Sequence, residues 1–225
     1  MRLPRHRIRP VCALFATLAA LVSLALGSLP TPAWDQAPMA KAAQRLGPAA
    51  QAALLPLQDL LRETAALDDV YRLERVNRFF NQRIRFATDL VVWRQEDYWA
   101  SPLETLNQGR GDCEDYAIAK YASLLAAGVA PDRLRLVYVR AQIGATAQAH
   151  MVLAYQATPS DEPLILDNLR NDIVPASQRP DLVPVFSFSG EGLWQGNGGE
   201  PAGDPLLRLS PWRSVWAKTL AEGFR

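Results

Sequence analysis

The chain has 225 residues, enough for one well-buried domain with a small accessory segment and too few for two large ones. Hydrophobic residues make up 49% and charged residues 21%, an ordinary soluble balance, and a formal net charge of +1 supplies no basic field for nucleic acid. That near-neutrality hides an asymmetry. Arg2, Arg5, Arg7 and Arg9 fall in the first 27 residues with no acid, and without them 20 basic residues face 23 acidic ones, net −3.

Residues 1–27 read as a targeting segment: a positive stretch, Arg2 to Arg9, then the uncharged apolar run VCALFATLAALVSLAL. Ala25-Leu26-Gly27 and Thr31-Pro32-Ala33 both offer small residues for cleavage. The run is long for a signal peptide and near the lower limit for a membrane span, so a cleaved signal and an uncleaved anchor both stay open. Either predicts export, with this segment as the one membrane contact. Removal of residues 1–27 takes away Cys12 and His6 and leaves one cysteine, Cys113, and one histidine, His150. A leftover thiol in an oxidising compartment invites a chemical role, although a lone cysteine is also a small hydrophobe.

Residues 28–50 are rich in Pro and Ala and suggest a linker or loosely docked arm, leaving 51–225 as the domain. Helices are expected at 50–66 and 68–86. In the second, Val70, Leu73, Val76, Phe79, Phe80 and Ile84 share a face, and Asp68 or Asp69 serves as N-cap. Pro102, preceded by Ser101, begins a short helix. Gly111-Asp112-Cys113 opens a helix to about Ala127, closed by Gly128. The period then shifts to two. Strands are predicted at 134–140, 150–157 and 163–167, with a fourth at 182–189 placed at an edge or interrupted by Pro184. The stretch GEGLWQGNGGEPAGDP reads as a surface loop and PWRSVWAKTLAEGF as a C-terminal helix. Helices first and strands afterwards predict an α+β domain with an antiparallel sheet.

This order puts Cys113 at a helix N-terminus, His150 at the start of a strand and Asp167 at the end of the next. A helix N-terminus lowers a cysteine's pKa and presents N–H groups to an oxyanion. If the two strands pair, the imidazole of His150 can face the thiol while Asp167 orients it. Asn168 is the alternative orienting group. Asp112 and Glu114 oppose the helix effect, because flanking carboxylates raise a thiol's pKa. A hard cation taking oxygen ligands resolves that conflict, whereas the plainer alternative makes both residues N-cap and first-turn acids. Asp115 and Asp97 are weaker candidates for the ion. Trp93, Tyr98 and Trp99 are core aromatics or groove lining, and Trp194 is a candidate protein contact.

The run NQGRGDCEDYAIAKYASLL, with YW upstream and AHMVLAY and LILDNL downstream, resembles the bacterial transglutaminase-like cysteine peptidases of the LapG type. The resemblance spans residues 69–194 and centres on GDCEDYA. It implies a transglutaminase-like, papain-like fold in which N-terminal helices pack on an antiparallel sheet. It also implies a periplasmic Cys-His-Asp protease with Cys113 as nucleophile, His150 as base and Asp167 as orienting acid. Calcium dependence follows from it, with Asp112 and Glu114 as ligands. It further implies cleavage near the N-terminus of a large repeat-type surface adhesin, releasing it and dispersing a biofilm. Control would come from an inner-membrane cyclic-di-GMP receptor that sequesters the protease. Two other readings keep the fold: a transglutaminase or amidase, since water and amines attack the same thioester, and a catalytically silent calcium-binding adaptor.

Overall fold

A computed structural model of the chain describes residues 34–196 and 201–225; the expected targeting segment lies outside the described residues. The chain enters as helix rather than linker. Helix α1 (Gln36–Leu46) is capped by the Asp35 carboxylate, which accepts from the Ala37 N–H, and it buries Met39, Ala42 and Ala43. Gly47, at φ 131°, breaks it, and Pro48 opens helix α2 (Pro48–Ala65). The expectation of a loose arm over 28–50 is therefore corrected for its described part. Alanines and one methionine face a groove where small side chains pack closely, and composition alone does not separate that from a flexible tether. Trp34 is buried and bridges to Phe224, tying this entry segment to the C-terminus.

Helix α3 (Asp69–Arg83) is capped by Asp68, which accepts from the Tyr71 N–H, and it buries Leu73, Val76, Phe79 and Phe80 as the apolar spacing requires. Val70, assigned to that face, is exposed in the first turn. The chain then leaves the helix earlier than expected, as strand β1 (Arg85–Phe86). Helix α4 (Asp89–Val92) and helix α5 (Pro102–Gln108) follow, the latter starting at Pro102 behind Ser101. Strand β2 (Arg110–Gly111) pairs with β1 in parallel. Helix α6 (Cys113–Ala126) is the centre of the molecule. It is apolar almost all round, with Ile118, Tyr121, Ala122 and Leu124 fully buried, and it packs on the sheet on one side and on α2, α3 and α5 on the other.

Strands β3 (Leu134–Ile143) and β4 (Thr146–Tyr155) form a hairpin turned by Gly144, at φ 61°, and Ala145. The rest of the sheet is β5 (Leu164–Leu166), β6 (Val174–Pro175), β7 (Leu182–Phe188), β8 (Leu193–Gln195) and β9 (Pro201–Gly203). Its order is β6-β5-β4-β3-β7-β8-β9, antiparallel throughout. Of the two alternatives for the fourth strand, interruption at Pro184 holds: β7 is internal to the sheet, and Pro184 falls at a register shift against Tyr138 and Val139, where a missing N–H costs little. Part of the Gly-rich stretch read as a loop is β8 and β9, and Trp194 lies there under the Arg135 guanidinium, 4.0 Å from the ring centroid. Helices α7 (Pro205–Arg208) and α8 (Ser210–Ala221) close the chain, with Trp212 packed edge-on to Tyr121 and Phe188.

Candidate active site

The start of α6 and strands β3 and β4 meet at one cleft of about 540 Å³, lined by Cys113 and Glu114 from α6, by Tyr138 from β3, by Gln148 to Met151 from β4, and by the loop residues Trp99 and Leu169. Cys113 is the first residue of α6, half-buried, behind the extended N-cap Asp112. The loop before it approaches closely: a Cβ on Gly111 would sit 2.5 Å from Asp115 Oδ2. Asp115 is fully buried. Its carboxylate accepts from the Ala100 N–H at 2.8 Å and from the Asp112 N–H at 3.4 Å, so it braces the turn that presents the cysteine. Burial pushes its pKa up to about 8. Both oxygens serve backbone donors, which sets Asp115 apart from the carboxylates facing the cleft.

On the sheet side, the buried His150 Nε2 lies 2.8 Å from Asp167 Oδ1. An ionised carboxylate only accepts, so Nε2 donates and Nδ1 is left as the free basic nitrogen. Asp167 Oδ2 accepts from Arg179 Nη2 at 2.7 Å, and the Leu169 N–H donates to Oδ1 at 3.0 Å. Burial alone would raise the Asp167 pKa, but the bond from His150 and its charge, the Leu169 N–H and Arg179 together hold it down to about 2. Arg179 is itself buried and also grips Asp181. Sequence reasoning missed Arg179, since an arginine in a turn carries no local pattern to mark it. Among the described residues Asn168, the alternative orienting group, makes no hydrogen bond to His150; its side-chain oxygen is buried without a partner.

The cysteine side differs in character. The Cys113 thiol donates to Glu114 Oε2 at 2.9 Å. Burial first, then the charge and hydrogen bond of Glu114, then Asp112, push its pKa far above the ordinary thiol range, with the Met151 N–H opposing. Asp112 is itself pushed up to about 9, by burial and by Glu114. A third carboxylate joins this cluster from the N-terminus of α4. Asp89, Asp112 and Glu114 each direct an oxygen into one spot, all within 4.8 Å of one another. Asp89 is 3% exposed and accepts from the Tyr98 N–H through Oδ2, which leaves Oδ1 buried with no partner; Asp112 Oδ1 is in the same condition. Burial raises Asp89 to about 6. Sequence reasoning named Asp112 and Glu114 and missed Asp89, which nothing in its neighbourhood connects to the GDCEDYA run. Asp97, considered for the ion, instead accepts from Trp99 Nε1 at 2.9 Å. Trp99 lines the cleft, whereas Trp93 and Tyr98 pack against each other as a tilted pair with ring centroids 4.4 Å apart.

Buried acidic oxygens without donors fit a hard, oxygen-seeking cation. Asp89, Asp112 and Glu114 would hold it, and its charge would offset the carboxylates crowding the thiol.

A central helix with a cysteine at its N-terminus, against an antiparallel sheet carrying a His-Asp pair, defines the transglutaminase-like cysteine protease fold. The family model described as bacterial transglutaminase-like cysteine proteinase, BTLCP, matches residues 58–181. Legionella pneumophila LapG in an EGTA-treated form is 39% identical, with a TM-score of 0.74 over 84% of this chain and 100% of that one. Its calcium-bound form is 39% identical, with a TM-score of 0.71 over 82% of this chain and 98% of that one. No curated protein sequence matches. The chain belongs to the bacterial transglutaminase-like cysteine proteinases, and it is a cysteine peptidase.

Proposed function

We propose that the chain is an exported, calcium-dependent endopeptidase that uses Cys113, His150 and Asp167 as its triad. The observation that carries this reading is the buried His150–Asp167 pair on the cleft that also holds Cys113 at its helix N-terminus. Nδ1 of His150 takes the thiol proton. Sγ then adds to the scissile carbonyl, and the oxyanion draws on N–H groups at the start of α6. His150 returns the proton to the leaving amine as the C–N bond breaks. Water, deprotonated by the same ring, then hydrolyses the thioester and frees Cys113. Throughout, Asp167 holds the imidazole in one tautomer and stabilises its charged form.

Calcium is supported by the cluster of Asp89, Asp112 and Glu114 and by the existence of calcium-bound and EGTA-treated forms of the Legionella protein. When bound, the ion supplies charge compensation beside the thiol. The substrate we assign is the N-terminal region of a large repeat-type surface adhesin, cut in the periplasm to release the adhesin and disperse a biofilm. An inner-membrane cyclic-di-GMP receptor acts as the sequestering partner. The test incubates the purified chain with an N-terminal adhesin fragment from the same bacterium, comparing wild type, Cys113→Ala and chelator-treated samples by gel. Cleavage by wild type alone is expected. Cleavage surviving Cys113→Ala would overturn the nucleophile, and cleavage indifferent to chelator would remove the ion.

A further inference from the structure

Strand β4 is paired unequally on its two sides. Against β3 it is paired along its full length, from Thr146 to Tyr155. Against β5 it is paired only at Leu153, Ala154 and Tyr155, because β5 ends at Leu166 and the chain turns at Asp167, where the Leu169 N–H bonds back to the carboxylate. Residues 146–149 are exposed, and no backbone partner meets that side of them among the described residues. The direction of the free groups follows from the two-residue turn: Ile143 and Thr146 flank it as the hydrogen-bonded pair, so Thr146, Gln148 and His150 bond to β3 while Ala147, Ala149 and Met151 face the other way. Backbone groups alternate sides along a strand, so the N–H and C=O of Ala149 and Ala147 point the same way, out of the sheet and along the cleft.

Exposed edges in natural sheets are commonly guarded by lysine, proline or a bulge. The segment Thr146-Ala147-Gln148-Ala149 has none of these, and its alanines leave the backbone accessible. Four of the side chains lining the cleft, Glu96, Asp97, Asp112 and Glu114, are carboxylates that offer oxygen; of the polar side chains beside them, Trp99 Nε1 is spent on Asp97 and His150 Nε2 on Asp167, and Tyr138 and Gln148 carry further donors. A polypeptide entering the cleft must find donors for the carbonyls it withdraws from water, and the β4 edge provides them.

We propose that the free edge of β4 at Ala147–Ala149 is the main-chain recognition site for substrate. An extended polypeptide segment adds there as an extra strand and is thereby laid across Cys113. Recognition of this kind reads the backbone first and side chains through alternate positions. It selects extended, unstructured stretches and excludes folded helical ones. This rests on the reading of Cys113 as the nucleophile.

The test uses wild-type protein in calcium-containing buffer and three benzyloxycarbonyl tripeptide chloromethyl ketones, all-Ala, all-Leu and all-Phe. Each is also made with a single backbone N–H methylated at each position in turn. Chloroacetone is the control, carrying the same warhead and no peptide. Alkylation of Cys113 is followed by mass spectrometry. We expect at least one parent tripeptide to react about tenfold or more faster than chloroacetone. Methylation at one position should cost about tenfold and at its neighbour little, the alternation a strand imposes. Methylated reagents reacting as fast as their parents, or no parent outpacing chloroacetone, would overturn the edge site while leaving the nucleophile standing. A Cys113 that reacts with none of the reagents would overturn the nucleophile, and the edge proposal with it.

Discussion

The two walls of the cleft are finished to different degrees. On the sheet side each charged group has its partner: His150 holds Asp167, Arg179 holds the other oxygen, and Asp181 holds Arg179. On the helix side Asp89, Asp112 and Glu114 converge on one spot, two of their oxygens are buried and unbonded, and the thiol donates to a carboxylate. A chain of opposite charges fixes geometry by its own pairing, even with Arg179 Nη1 buried and unbonded, whereas a convergent set of like charges favours a cation between them. The first wall is built for orientation, and the second is built for a ligand.

Removing a proposed reacting group from either wall has the largest expected effect. Cys113→Ala and His150→Ala should each lower the cleavage rate at least ~10⁴-fold, and the double variant should lose little more, because the pair acts as a unit. A double variant much worse than either single would show that the two act independently.

Arg179 probes the sheet-side wall one step back. Arg179→Met should reduce kcat about tenfold with KM nearly unchanged, and Arg179→Lys should recover part of the loss. Asp167 is also held below its ordinary value of 3.8, at about 2. Its ionisation therefore stabilises the fold above about pH 4, and that contribution is lost as the pH falls through 2. The difference is worth about 2 kcal/mol, read as the acid limb of a thermal-stability profile that Arg179→Met should blunt.

A third expectation concerns the turn between the walls. Gly111→Ala drives a methyl against Asp115 Oδ2, and the brace that positions Cys113 must shift. We expect a loss of about 1–3 kcal/mol in urea unfolding, with activity falling further than stability.

The smallest effect lies away from the cleft. Glu222 accepts from the Ser101 hydroxyl and the Leu103 N–H, and burial raises its pKa from 4.5 to about 7. Its contribution is complete below pH 4.5 and is lost as the pH rises through 7. Glu222→Gln should flatten the stability profile over that interval with cleavage hardly altered.

The proposed triad was legible in the sequence, whereas Arg179 behind it was not. Cys113 begins α6 and Asp167 follows the end of β5, His150 opens the apolar run HMVLAY although β4 itself starts four residues earlier, and the GDCEDYA run singles out the cysteine. The ligand wall was legible only in half. Asp112 and Glu114 flank the cysteine, but Asp89 reaches them through the N-terminus of α4, a tertiary fact with no local pattern. The hairpin tip was missed for a related reason. Residues 141–149 alternate too weakly to read as strand, because backbone pairing and the turn at Gly144 hold them rather than burial of one face. The helix over 36–46 was hidden by its alanines, whose burial depends on what the rest of the chain brings to them.

Asp89 offers the most direct measurement of whether the helix-side wall takes a cation. Calcium titrated by calorimetry into wild type and into Asp89→Asn, which keeps an oxygen for the Tyr98 N–H, compares the site with and without the third charge. Wild type should bind one ion and the variant should bind it at least tenfold more weakly, with the fold unchanged by circular dichroism. Equal affinity in the two proteins would contradict a cation site at Asp89.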